Sequence, residues 1–130
     1  MFEEFKFMQL AINEAQKAMK KNNVPVGCVL IKDNKIISKA HNATFWHAEI
    51  LCIQRAQKKI GKYLNQTTMF VTVEPCPMCL HAMKLAHVEK VFIGCHNNNE
   101  ILAQIEIIEC VFEEQCISLM KNFFNKIRNK

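Results

Sequence analysis

Cys76 and Cys79 stand two residues apart in Pro75-Cys76-Pro77-Met78-Cys79, and His47 and Glu49 share the short segment His47-Ala48-Glu49. Two cysteines at this spacing can put two thiolates on one metal, and zinc is the natural occupant of such a pair. The pair falls where a predicted strand hands over to a predicted helix, whose free N–H groups and partial positive charge favour deprotonated sulfur. A tetrahedral site needs more ligands, and the sequence has no second Cys-x-x-Cys to complete a four-cysteine structural cluster. His47 is the best third ligand. It opens a predicted helix one helix and one strand upstream of the cysteines, a connection that can bring two helix N-termini together. Three protein ligands leave a position for water, which the metal acidifies toward a pKa of about 7, and that is catalytic geometry. Glu49 would lie about 200° round a regular helix from His47, so both serve one site only if His47 is at its very first turn. Glu49 is then a proton shuttle rather than a ligand.

Each feature has a plainer reading when taken alone. A single Cys-x-x-Cys in an α/β chain can be a thiol redox pair, although the proline before Cys76 and the upstream His-x-Glu count against it. A lone histidine is most often a cap or a satisfied structural residue, and an acid in a first helical turn is common. Cys28, Cys52, Cys95, Cys110 and Cys116 lie in apolar runs and read as small buried hydrophobes.

The elements that must position these residues follow from periodicity and turn chemistry. Phe5, Met8, Ala11 or Ile12, Ala15 and Met19 repeat at helical spacing across 2–21, and Asn22-Asn23 ends that helix. Two apolar, extended runs flank Asp33-Asn34, which predicts a hairpin. A second helix runs from His47 to a stop at Gly61, then come a strand at 69–73, a helix at 78–86 and a strand at 90–95. Residues 96–100 read as a turn, 104–109 as a further strand and 111–126 as a closing helix. The order α-β-β-α-β-α-β-β-α means an α/β fold with helices on both faces of one sheet.

The chain has 130 residues, 50% of them hydrophobic and 22% charged, with three glycines and three prolines. That composition suits one domain over 1–130 with a real core and excludes a disordered or collagenous chain. No apolar run approaches the roughly 18 residues of a membrane span. Three glutamates in the first sixteen residues replace the positive charge of a signal peptide, so a cytoplasmic protein is expected. Seven scattered cysteines fit reduced thiols or a metal site better than a disulfide framework. The net charge of +5 is compatible with a polyanionic partner without defining one. Lys121, Lys126, Arg128 and Lys130 surround Phe123 and Phe124 with no acid after Glu114. Such a tail suits phosphate contact and base stacking, and equally a solvated helix face over core phenylalanines. The cluster Arg55, Lys58, Lys59 and Lys62 is accounted for by the dipole at a helix C-terminus.

Together the motifs match H-x-E…P-C-x-x-C, the signature of zinc nucleobase deaminases. Over nearly its whole length the chain resembles the bacterial tRNA-specific adenosine deaminase family. Val24-Pro-Val-Gly-Cys, Ala40-His-Asn, His47-Ala-Glu-Ile-Leu, Met69 to Cys79, Val91-Phe-Ile-Gly-Cys and Phe112 to Phe124 carry that resemblance, in family order. It implies a cytidine deaminase-like three-layer α-β-α sandwich around a mixed sheet of about five strands. It also implies one zinc per chain on His47, Cys76 and Cys79, with Glu49 moving protons, Asn42 hydrogen-bonding the nucleoside and the Ala48 N–H offered to the base. The implied reaction is hydrolysis of adenosine to inosine and ammonia at the wobble position of a tRNA anticodon loop, by a homodimer. Phe123, Phe124, Lys121, Lys126 and Arg128 are the candidate RNA contacts. Two loops depart from the family: four residues, Ala43-Thr-Phe-Trp46, separate Asn42 from His47, and His96-Asn-Asn-Asn-Glu100 leads almost directly into the next strand, with Asn97 near the family's usual Asp. The alternatives are a deaminase of free cytosine, cytidine or guanine with the same metal site, and a zinc-containing binding module without turnover.

Overall fold

A computed structural model describes the backbone of residues 2–96, 106–108 and 111–128. Its elements are α1 (Phe2–Lys20), β1 (Gly27–Lys32), β2 (Lys35–His41), α2 (Ala48–Ile60), β3 (Thr68–Val73), α3 (Pro77–Leu85), β4 (Lys90–Cys95), β5 (Glu106–Ile108) and α4 (Glu113–Arg128). This order is the one the periodicities predict. Most of the expected turn at 96–100, with Asn97, and Cys110 lie outside the described residues, as do the ends of the strand expected at 104–109.

One mixed sheet of five strands runs β2-β1-β3-β4-β5. β1 is antiparallel to both β2 and β3, whereas β3, β4 and β5 are parallel. Asp33 and Asn34 both adopt the left-handed conformation (φ 52° and 60°) that a two-residue hairpin turn requires. The parallel step from β3 to β4 needs a crossover, and α3 supplies it. β1 is buried along almost its whole length and is continuously apolar, while edge strand β2 alternates exposed and buried positions in its second half.

Alternate side chains of the sheet face different helices, which makes the fold three-layered. On one face Phe7 of α1 packs on Phe70, which stacks on Phe92 at 4.6 Å between ring centroids. Helix α4 joins this face, against β4 and α1. On the other face Cys28 Sγ donates to the Ala48 carbonyl of α2 at 3.2 Å, and α2 packs against α3. The site must therefore form where α2 and α3 begin, on one side of the sheet.

Gly27 sets how closely α1 approaches. A Cβ there would run into the Ala11 carbonyl oxygen and the Ala15 amide nitrogen, both helix backbone. Gly27→Ala is expected to destabilise the protein by at least ~1–3 kcal/mol, since neither atom can rotate away. Urea unfolding checks this, and an unchanged midpoint would mean that α1 sits further from the sheet.

Candidate active site

The N-cap residues of α2 and α3 are His47 (φ −70°, ψ 144°) and Cys76 (φ −68°, ψ 165°), both extended, and neither side chain caps its own helix. Ser, Thr, Asp or Asn ordinarily holds this position. Here the two side chains turn toward each other. His47 Nδ1 lies 3.5 Å from Cys76 Sγ and 3.2 Å from Cys79 Sγ, and one donor atom from each residue lies within 4.8 Å of the others. On a zinc tetrahedron with nitrogen at ~2.0–2.1 Å and sulfur at ~2.3 Å, the nitrogen-to-sulfur edge is about 3.6 Å. The donor set therefore fits one small tetrahedral ion, approached by Nδ1 of the imidazole. Among the described residues this is the one group of three such donors.

The extended backbone at His47 removes the angular obstacle seen in the sequence. His47 stands outside α2, so the helical wheel does not apply to it, and Glu49 occupies the second helical position. Glu49 is 4% exposed, and that burial pushes its carboxyl up from the ordinary value. A carboxyl held toward neutrality can both take and give a proton. Burial likewise pushes the Cys79 thiol up, with Glu49 and Cys76 adding to the effect. A cation held by the three donors would stabilise the thiolate form.

Beside the donors opens a cavity of about 200 Å³, lined by His47, Glu49 and Cys76 together with Val24, Val26, Asn42, Val73, Glu74 and Met120. The two residues nominated from sequence as nucleoside contacts are bonded to one another: Asn42 Oδ1 accepts the Ala48 N–H at 2.7 Å. Asn42 thus satisfies a free donor of the first turn of α2 that His47 leaves unmet, and its amide Nδ2–H is the group that can donate to a ligand. Glu74 was missed. Its Oε1 accepts from His96 Nδ1 at 2.8 Å, while Oε2, also buried, has no hydrogen-bond partner among the described residues. The legible signal was a carboxylate closing an apolar strand directly before Pro75-Cys76.

Just before Asn42, His41 Nδ1 lies 3.0 Å from Glu14 Oε1, and Lys17 Nζ donates to Glu14 Oε2 at 2.7 Å. This clasp ties α1 to the end of β2. Burial pushes the Glu14 carboxyl up, but Lys17 and His41 outweigh it and hold it below its ordinary 4.5. A depressed folded-state pKa stabilises the protein above the unfolded value and loses that contribution as pH falls through the folded one. Glu14→Gln is expected to reduce the loss of melting temperature below pH 4.5. Parallel melts at pH 7 and pH 3.5 check it, and equal losses in both proteins would exclude the clasp.

At the C-terminus Phe123 is 6% exposed and Phe124 43% exposed, their rings edge to face at 5.3 Å. Lys121 and Lys126 face solvent, and the side chain of Arg128 lies outside the described residues.

Residues 1–95 match the family described as the cytidine and deoxycytidylate deaminase zinc-binding region, so fold and site define this class of deaminase. A tRNA-specific adenosine deaminase of Bacillus subtilis is 37% identical, covering 95% of this chain and 90% of that protein. The chain belongs to the tRNA-specific adenosine deaminase family. That alignment runs over 145 positions, more than the 130 residues of this chain, so the relative carries segments absent here. A solved structure from work on A-to-I editing at the wobble position of transfer RNA superposes with a TM-score of 0.82 at 24% identity, over 88% of this chain and 98% of that one. The Thermotoga maritima diaminohydroxyphosphoribosylaminopyrimidine deaminase/5-amino-6-(5-phosphoribosylamino)uracil reductase superposes with a TM-score of 0.79 at 29% identity, over 98% of this chain and 42% of that one.

Proposed function

We propose that this single domain, residues 1–130, is a zinc-dependent hydrolase that converts the wobble adenosine of a tRNA anticodon loop to inosine, releasing ammonia. The observation that carries the reading is the convergence of His47, Cys76 and Cys79 at the edge of a cavity that His47, Cys76 and buried Glu49 line. One zinc per chain, held by those three residues, supplies Lewis acidity that activates water at neutral pH. Glu49 moves protons to the purine ring nitrogen and to the departing amine. Asn42, fixed by the Ala48 N–H, presents its amide to the nucleoside. Val24, Val26, Val73 and Met120 wall the cavity and exclude bulk water from the flat ring.

A flipped anticodon nucleotide is the form of substrate such a cavity can admit. We infer a cytoplasmic homodimer. Exposed Met78 and Leu85, seven residues apart on α3, offer it an apolar face. Among the described residues no helix is long and apolar enough to cross a membrane.

The short loop before His47 favours one second reading, a deaminase of free cytosine, cytidine or guanine. In that loop the Ala43 N–H donates to Trp46 O at 3.0 Å, closing a tight turn. Comparing kcat/KM for an anticodon hairpin with that for adenosine, cytidine, cytosine and guanine separates the two. The tRNA reading predicts that the hairpin is preferred and that its KM rises with salt, because phosphate contacts release counterions. Preference for a free base or nucleoside at every ionic strength would overturn it.

A further inference from the structure

The loop between Asn42 and His47 carries two large aromatic side chains that face solvent, Phe45 at 87% and Trp46 at 54% exposure. Single exposed hydrophobes are ordinary, but adjacent ones lining a concave surface mark a site of contact. With Phe124 and Ile127 of α4 they line a groove of about 410 Å³, within the range of ligand sites. Groove and catalytic cavity share Val24, Asn42 and His47. The groove thus adjoins the cavity, within reach of the neighbour of a nucleotide held there.

The chemistry of the groove selects its occupant. Its walls are aromatic and aliphatic side chains with Thr44, His47 and the amides of Asn22, Asn23 and Asn42, and among the described residues no acidic side chain lines it. Lys126 lines a smaller cavity that adjoins it through Asn22, Phe123 and Ile127. Lys20 and Lys21 directly precede Asn22. Aromatic faces with a lysine close by are the pattern that binds single-stranded nucleic acid, the bases stacking and the cation following the backbone.

We propose that Phe45, Trp46 and Phe124 form a stacking subsite for the base of the nucleotide adjoining the one deaminated, with Lys126 toward its phosphate; this rests on the tRNA reading above. The shortened loop thus grips RNA through two aromatic rings.

Trp46 is the one tryptophan of the chain, so its fluorescence reports on the groove directly. Zinc-loaded Glu49→Gln protein is titrated with an end-labelled anticodon-loop hairpin, and tryptophan emission and label anisotropy are read together. Emission is expected to be quenched in step with binding. Trp46→Ala in the same background is expected to weaken binding roughly 5- to 150-fold, the loss of one base–aromatic stack. Trp46→Phe restores most of it, and the zinc content of both variants reports that the site remains assembled. Binding without quenching, or equal affinity in Trp46→Ala, overturns the subsite and leaves the tRNA reading standing. No hairpin binding, together with deamination of free nucleosides alone by the parent protein, overturns both. Emission that changes with protein concentration in the absence of RNA assigns the groove to a second copy and also overturns the subsite.

Discussion

Glu49→Gln is expected to keep its zinc and lose about 10²- to 10⁴-fold in kcat, the range contributed by one positioned acid–base group. The substitution preserves size and hydrogen-bonding shape but removes the group that can carry a proton. Glu49 is not one of the three converging donors, and it sits in the wall of the same cavity. Metal content and turnover should therefore separate in this variant. A zinc-loaded protein with near-parent turnover would remove Glu49 from the chemistry, and loss of the metal would make it a ligand instead.

Cys79→Ala is expected to lose both together. Cys79 is fully buried at the head of α3, and its Sγ faces His47 Nδ1. Removing that sulfur leaves two donors, one of them on the exposed imidazole, too few to hold a tetrahedral ion with high affinity. Zinc should fall from one per chain to a substoichiometric level and turnover to background. Chelation of the parent protein should reproduce this state, and added zinc should reverse it in the parent alone. A thiol redox pair makes the opposite forecast: no stoichiometric metal, and a reversible Cys76–Cys79 disulfide. Mass spectrometry of the native protein, with and without reductant, measures both.

The arrangement behind these two expectations was largely legible in the residues. Asp33-Asn34 marked the hairpin, Pro75 and Pro77 marked the break between β3 and α3, and His47 and Cys76 each stood at a change of period. Three features were not legible, each because it depends on partners distant in the chain. The relation of His47 to Glu49 cannot be read from a helical wheel, which assumes helical backbone at a residue that is in fact extended. The bond between Asn42 and the Ala48 N–H follows from how the end of β2 meets the start of α2, so two residues nominated separately act as one unit. The upward push on the Cys79 thiol comes from its burial and from Glu49, a neighbour thirty residues away in the chain. Phe123 and Phe124 show the same limit from another side: both line the groove beside α4, yet the first is buried and the second exposed.

The short loop before His47 has a comparable lesson. Compared with the family it reads as a loss, because residues are missing. In three dimensions its four residues close a tight turn and hold Phe45 and Trp46 on the groove that adjoins the cavity.

The central claim is hydrolytic deamination of an RNA adenosine at the His47–Cys76–Cys79 site. Its most direct test is to incubate zinc-loaded protein with total tRNA, locate inosine by sequencing and follow ammonia, with free adenosine, cytidine, cytosine and guanine in parallel. The account predicts inosine at the wobble adenosine, released ammonia in equal amount, and neither with the Glu49→Gln protein. Ammonia from a free base or nucleoside with no inosine in tRNA, or no turnover of any substrate by fully zinc-loaded protein, would contradict it.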